Sequence, residues 1–195
     1  MHGSAANDEC PVVNRSVPRR SFEALLLSSH PTPPSLAEAL GEAGFDADCP
    51  EHLYPYPVWT RALHAARSAL YPELEPCEGL FALGGRFARG FRLTVVGRVL
   101  RAHADARLGP ERALARLPST LGAGVKGLVM EVQPTRARSW QLRCLAPSEE
   151  ADFYAGAVHG LLADLALTEL EVRVVAREED AFELVIAWAA PALAS

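Results

Sequence analysis

Phe153-Tyr-Ala-Gly-Ala-Val-His-Gly-Leu-Leu-Ala-Asp-Leu165 is followed by two short apolar stretches, Leu170–Ala176 and Phe182–Trp188. The first reads as a helix and the other two as a hairpin turning at Arg177-Glu-Glu-Asp180. At 100° per residue, Tyr154, Ala157, Val158, Leu161, Leu162 and Leu165 fall in one arc of about 140°, the expected core face. Gly156 and Gly160 lie one turn apart on a flank. They suit the close approach of another backbone, in the same chain or across a dimer, or simple tight packing on the sheet. His159 lies near Asp152, away from the apolar arc, and reads as solvated.

Upstream, Val125–Val132 and Trp140–Leu145 are strand-like and joined by Gln133–Ser139; Pro147 and Ser148 lead into the helix. The earlier chain is helical. Ser21 is placed to cap Phe22–Ser29, and Ser35 to cap Leu36–Ala43, which stops at Gly44. Val12–Val17 reads as a short strand and Phe45–Tyr56 as loop. A helix is expected from Pro57 to Leu70, a long one from Glu78 to Arg107, bent near Gly84-Gly85 or Gly90, and a short one over Glu111–Leu117 that Pro118 ends. The order predicts an α+β fold: an N-terminal helical layer packed on a four-stranded antiparallel sheet, made of two hairpins with an intervening helix. Residues 12–190 are expected to form one domain, with 1–11 a disordered tail.

The chain has 195 residues, 49% of them hydrophobic and 22% charged, which is enough to build a sizeable core. No apolar run approaches the ~20 residues that span a bilayer, and Met1–Pro11 lacks the pattern of a secretory signal. A cytoplasmic location is the expectation. A net charge of −5 disfavours a nucleic-acid partner, whose binding rests on phosphate neutralisation. Lys126 is the only lysine, and arginine usage of this kind reflects a GC-rich genome or selection for bidentate anion contacts. Cys10, Cys49, Cys77 and Cys144 are scattered, with no C-x-x-C pair and no histidine at zinc spacing, so no metal site is expected.

On the helix Phe87–Arg107, Phe91, Val95, Val99, Ala102 and Ala106 make one apolar arc, and Leu93, Val96, Leu100 and Ala104 another. Such a helix is mostly buried. Arg92 and His103 fall between the arcs, on the line Arg92, Val96, Val99, His103. A buried arginine must be paired. Arg92 and His103 are therefore either satisfied in a structural polar network or turned into a cavity for an anionic or polar ligand. These four residues are the candidate ligand site.

No phosphate-binding loop and no nucleophile elbow occurs, and no catalytic residue is assigned. Glu149-Glu150 and Glu178-Glu179-Asp180 sit at expected turns and read as solvated surface carboxylates. Arg136, Arg138 and Arg143 cluster around Trp140, as an anion patch or as a cross-strand surface cluster.

Several ordered pieces resemble a myxobacterial paralogous family of uncharacterised proteins: Phe22-Glu-Ala-Leu-Leu26, Gly44-Phe-Asp46, Tyr56-Pro-Val-Trp59, Gly84-Gly85-Arg86, Gly90-Phe-Arg-Leu-Thr94 and Leu108-Gly-Pro-Glu-Arg112. Leu117-Pro118 and the Phe182–Trp188 strand complete the pattern, with Phe91 where that family has tyrosine. The closure Phe153–Trp188 is more remotely similar to the superfamily of haem-nitric-oxide domains, 4-vinyl-reductase-type sensory domains and small TRAPP tethering subunits. That likeness implies helices on a four-stranded sheet, often with a ligand between them. Haem-nitric-oxide domains hold haem through a helical histidine and a Tyr-x-Ser-x-Arg clamp. His103 stands on a suitable helix but the clamp is missing, so no cofactor is expected, haem included.

The expected function is a non-enzymatic sensory or regulatory module that binds a small apolar or amphipathic ligand between helices and sheet. The alternative is a ligand-free interaction or scaffold domain acting as a homodimer, motivated by the Gly156 and Gly160 flank and by the exposed edges of a small sheet. An enzyme has no positive support beyond Arg92 and His103.

Overall fold

Proline decides where much of this chain turns helical. Its fixed φ and missing amide suit the first turn of a helix. The computed structural model describes residues 15–28, 31–98, 109–165 and 167–189. Within them β1 (Ser16–Pro18) leads into α1 (Arg19–Leu27), then α2 (Pro34–Glu42), β2 (Leu53–Pro55), α3 (Tyr56–Leu70) and α4 (Pro76–Leu93). There follow α5 (Pro110–Ala115), α6 (Leu117–Gly122), β3 (Val129–Arg136), β4 (Ser139–Leu145), α7 (Ala151–Leu162), β5 (Glu171–Glu178) and β6 (Ala181–Ala187). Proline sits in the first turn of α2 to α6. Pro118 therefore opens α6 and does not merely end α5.

The expected α+β architecture is present. The four-stranded sheet is antiparallel in the order β3-β4-β6-β5, two hairpins joined through their second strands. Register puts Met130, Val132, Trp140, Leu142, Cys144, Phe182, Leu184, Ile186, Val172 and Val174 on one face. That face carries α7. The other face is polar: Arg143 reaches Glu178 at 3.3 Å and Glu183 at 3.9 Å. Trp140 and Arg143 thus lie on opposite faces, and the expected cluster around Trp140 does not form. The strand β3 also runs on through Pro134 to Arg136, and a tight turn with Arg138 at φ +61° replaces the longer expected connection.

Helix α7 is buried on nearly every side, not along one arc. Its Phe153 side meets Phe87 and Trp59 of the helical layer, with ring centroids 5.3 and 5.8 Å away. Its Tyr154 side meets Phe182 of the sheet at 5.5 Å. The crossing with α4 is made at backbone distance. A Cβ at Gly84 would overlap the Phe153 carbonyl, and one at Gly156 would overlap the Phe81 carbonyl. Gly160 lies against Gly85 and Ala88. Gly156 and Gly160 thus serve the close approach of α4 within the chain. His159 is half-buried and packs on the Phe81 ring at 5.7 Å.

Other local expectations give way to tertiary contacts. Ser21 lies inside α1, where its hydroxyl donates to the Gly124 carbonyl at 2.6 Å. Ser35 lies inside α2. The segment read as loop before Tyr56 contains β2, which pairs with β1. The long helix does not run from Glu78 to Arg107: α4 ends at Leu93, and Thr94 is extended. Residues 1–14, including the expected tail, lie outside the described residues.

Candidate functional site

Thr94 creates the interruption. Its hydroxyl donates to the Phe91 carbonyl at 2.7 Å, closing α4, and accepts from the Gly97 amide at 3.0 Å, capping a new helical turn over residues 95–98. A Cβ at Gly97 would overlap the Phe91 carbonyl, so the new turn can fold back this closely only on glycine. The change of direction leaves large apolar groups uncovered: Leu93 is 57% exposed and Val95 68%.

Beside them opens a groove of about 390 Å³, walled by Leu93, Thr94, Val95, Val96 and Arg98 on one side. Pro18, Arg19, Arg20, Glu23, Leu27 and His52 form the other side. Its charges are unbalanced. Glu23 pairs with Arg19 at 3.3 Å, and Arg20 donates to the Ala123 carbonyl at 2.7 Å. Arg98 is exposed and has no side-chain partner among the described residues. Exposed apolar groups lining the same groove as an uncommitted guanidinium suit an amphipathic molecule with an anionic head.

Of the four residues expected to line a site, the two described ones, Arg92 and Val96, separate here. Val96 lines the groove. Arg92, in the last turn of α4, donates to the Gly160 carbonyl of α7 and clasps the helix crossing. Val99 and His103 lie outside the described residues. The break at Thr94 means that the first two do not share one straight helical line.

A second constellation was missed by sequence reasoning. Glu150, read as a surface carboxylate, is only 1% exposed. It ends the short turn Ser148–Glu150 between β4 and α7. The N-terminal end of α3 supplies both of its donors, one turn apart: Tyr56 Oη at 2.5 Å and Thr60 Oγ1 at 2.7 Å. Burial pushes its carboxyl up to about 7, against the two hydroxyl donors, which favour the ionised form. Burial also pushes up the hydroxyls of Tyr56 and Tyr154 and the thiol of Cys144, with the Glu150 charge adding to each. A signal was available. Continuing the α7 wheel one turn backwards places Glu150 inside the core arc, between Ala157 and Tyr154.

Among the described residues no group of three or more metal-ligating side chains assembles, and no helix is long and apolar enough to cross a membrane.

The chain shows no detectable match to a curated protein. Its fold matches solved structures of H-NOX domains. One, from work on haem distortion in the H-NOX family, superposes with a TM-score of 0.64 at 14% identity, covering 90% of this chain and 96% of that one. An oxygen-binding H-NOX domain related to soluble guanylate cyclases gives 0.61 at 13% identity, with 91% and 95% covered. A point variant of the T. tengcongensis H-NOX domain gives 0.58 at 15% identity, with 82% and 89% covered. Identities this low establish the shared fold alone.

These likenesses overturn the expectation that the chain takes no cofactor and that haem in particular is disfavoured. The structures it superposes on include ones described by their haem, its distortion and its redox potential. Absence of the Tyr-x-Ser-x-Arg clamp was too local a criterion to set against a fold shared over most of the chain. The fit to haem turns on an imidazole for the iron. Of the described histidines, His52 is exposed on the groove wall, His64 lies 3.9 Å from the Glu149 carboxylate, and His159 packs on Phe81. None of the three is buried, and His2, His30 and His103 lie outside the described residues. The family model for proteins of unknown function DUF2378 matches residues 15–189, nearly the whole described fold, and the chain belongs to that family.

Proposed function

We propose that this protein is a sensory or regulatory domain that binds a small apolar or amphipathic ligand beside the interruption after α4. The observation that carries the reading is the groove itself, where Leu93 and Val95 stay exposed next to an uncommitted Arg98. Large apolar groups gathered in a concavity mark a binding surface more often than scattered ones do. The H-NOX-like fold supports a sensory role by analogy, and haem belongs among the ligands to be tested.

Native mass spectrometry of the purified protein, followed by an absorption titration with haemin, tests this reading. The expected result is a bound small molecule on the purified protein or saturable, near-stoichiometric uptake of haem or an amphiphile. Failure to take up either class would sink it.

A second reading is a ligand-free interaction domain acting as a homodimer. Val129 and Leu145 favour it: they face each other across β3 and β4 on the outer face of the sheet, 40% and 38% exposed. A dimer mass at micromolar concentration that Leu145→Lys converts to monomer supports it; a monomer at every concentration removes it.

A further inference from the structure

We propose that Glu150 is a proton-operated latch between the helical layer and the sheet-side corner, closed when its carboxyl is neutral and loosened when it ionises. The proposal is independent of any ligand. It stands on where the carboxyl sits and on what surrounds it.

Every element packed around Glu150 presents a titratable or charged group. Tyr56 and Thr60 come from α3, Cys144 from β4 and Tyr154 from α7. Arg15 lies over the Tyr56 ring at 5.5 Å, and Glu149 is the adjacent charge, 3.9 Å from His64. Among the described residues no cation forms an ion pair with Glu150. Of the described positive groups Arg15 is the one that acts on it, and it does so at a distance. A buried carboxylate without a contacting cation is costly, whereas a neutral carboxyl held by hydroxyls is not. Tyr154 Oη faces Tyr56 fully buried and makes no hydrogen bond of good geometry among the described residues. It is an acceptor within the same cluster.

The carboxyl also bridges two parts of the fold. Its backbone begins α7, which rests on the sheet, while both donors lie at the N-terminal end of α3. Tyr56 directly follows β2, and β2 is paired with β1. Loosening this contact therefore frees the start of α3 and the ribbon joined to it.

The sign of the pH dependence follows from the shift. Between the ordinary value of 4.5 and about 7, the folded protein keeps a proton that the unfolded chain releases. Stability from this group is full below that window, falls as pH rises through it and is level above it.

The test is a pH titration of protein carrying 13C in its glutamate side-chain carboxyls, with Glu150→Gln identifying the resonance. Hydrogen exchange of the Thr60 to Leu63 amides, the first whose acceptors lie within α3, is followed in parallel. The expected midpoint for Glu150 is about 7. Exchange in α3, corrected for intrinsic base catalysis, should accelerate in the wild type as pH rises through the window between 4.5 and about 7, level off above the midpoint, and stay flat in Glu150→Gln. The thermal midpoint should fall on the order of 5 °C between pH 5 and pH 7.5 relative to that variant. A midpoint in the ordinary carboxylate range, or equal acceleration in Glu150→Gln, overturns the latch. Should Glu150→Gln fail to fold, Tyr56→Phe decides: removing a donor that favours the carboxylate must move the midpoint upward, and a midpoint that stays or falls overturns the proposal.

Discussion

The crossing of α4 with α7 and the interruption after α4 lie along one stretch of chain and use glycine to opposite ends. At the crossing, Gly84 and Gly156 let two backbones touch, and the interface closes over apolar side chains. At the interruption, Gly97 lets the chain turn back over Phe91, and Leu93 and Val95 are left in the open. The first region is framework, where any added atom meets backbone. The second is adaptable surface, where side chains can change without disturbing the core. The difference teaches that exposure of apolar groups here is imposed by the backbone path and is not a shortage of core.

The largest effect is expected at the crossing. Gly84→Ala gains about 1 kcal/mol of helix propensity, but the overlap with the Phe153 carbonyl cannot be relieved by a side-chain rotation. Overpacking costs of about 3 kcal/mol win, and the variant should lose about 2 kcal/mol in urea denaturation. Gly85→Ala is the control. Its Cβ would make only ordinary contact, 3.7 Å from the Gly156 carbonyl. It should be neutral or stabilising by up to about 1 kcal/mol. Equal effects at the two positions would break the comparison.

A middle effect is expected at the interruption. Thr94→Ala removes the cap on Gly97 and the bond to Phe91, at a cost of about 1 kcal/mol by the same denaturation. Thr94→Ser should restore most of it. The smallest effect on stability belongs to Leu93→Ser and Val95→Ser, within about 0.5 kcal/mol, because both side chains are mostly exposed.

Much of the fold was legible because the relevant physics is local. Alternation along Trp140–Leu145 and Phe182–Trp188 marks one inner face, and that face is the one α7 covers. Glycines one turn apart announced a close approach, although not which partner would make it. Glu150 was legible too, on the wheel of its own helix, but adjacent Glu149 and the preceding Pro147-Ser148 gave it the look of a surface turn. The interruption was not legible. Apolar periodicity continues unbroken from Phe91 to Val99, and only the bonds of the Thr94 hydroxyl to Phe91 and Gly97, with the close approach that Gly97 permits, show where the helix stops. Pro118 carried both meanings, stop and start, and only the following turn distinguishes them.

The central claim is that the open region binds a ligand while the closed region only supports it. The most direct measurement is calorimetric titration of the protein with dodecanoate, an apolar chain with one anionic head. The account predicts saturable binding near one to one, weakened about tenfold by Val95→Asp and by Arg98→Ala and unchanged in Gly85→Ala. Absence of binding to the wild type, or equal binding by Val95→Asp and Arg98→Ala, would contradict it.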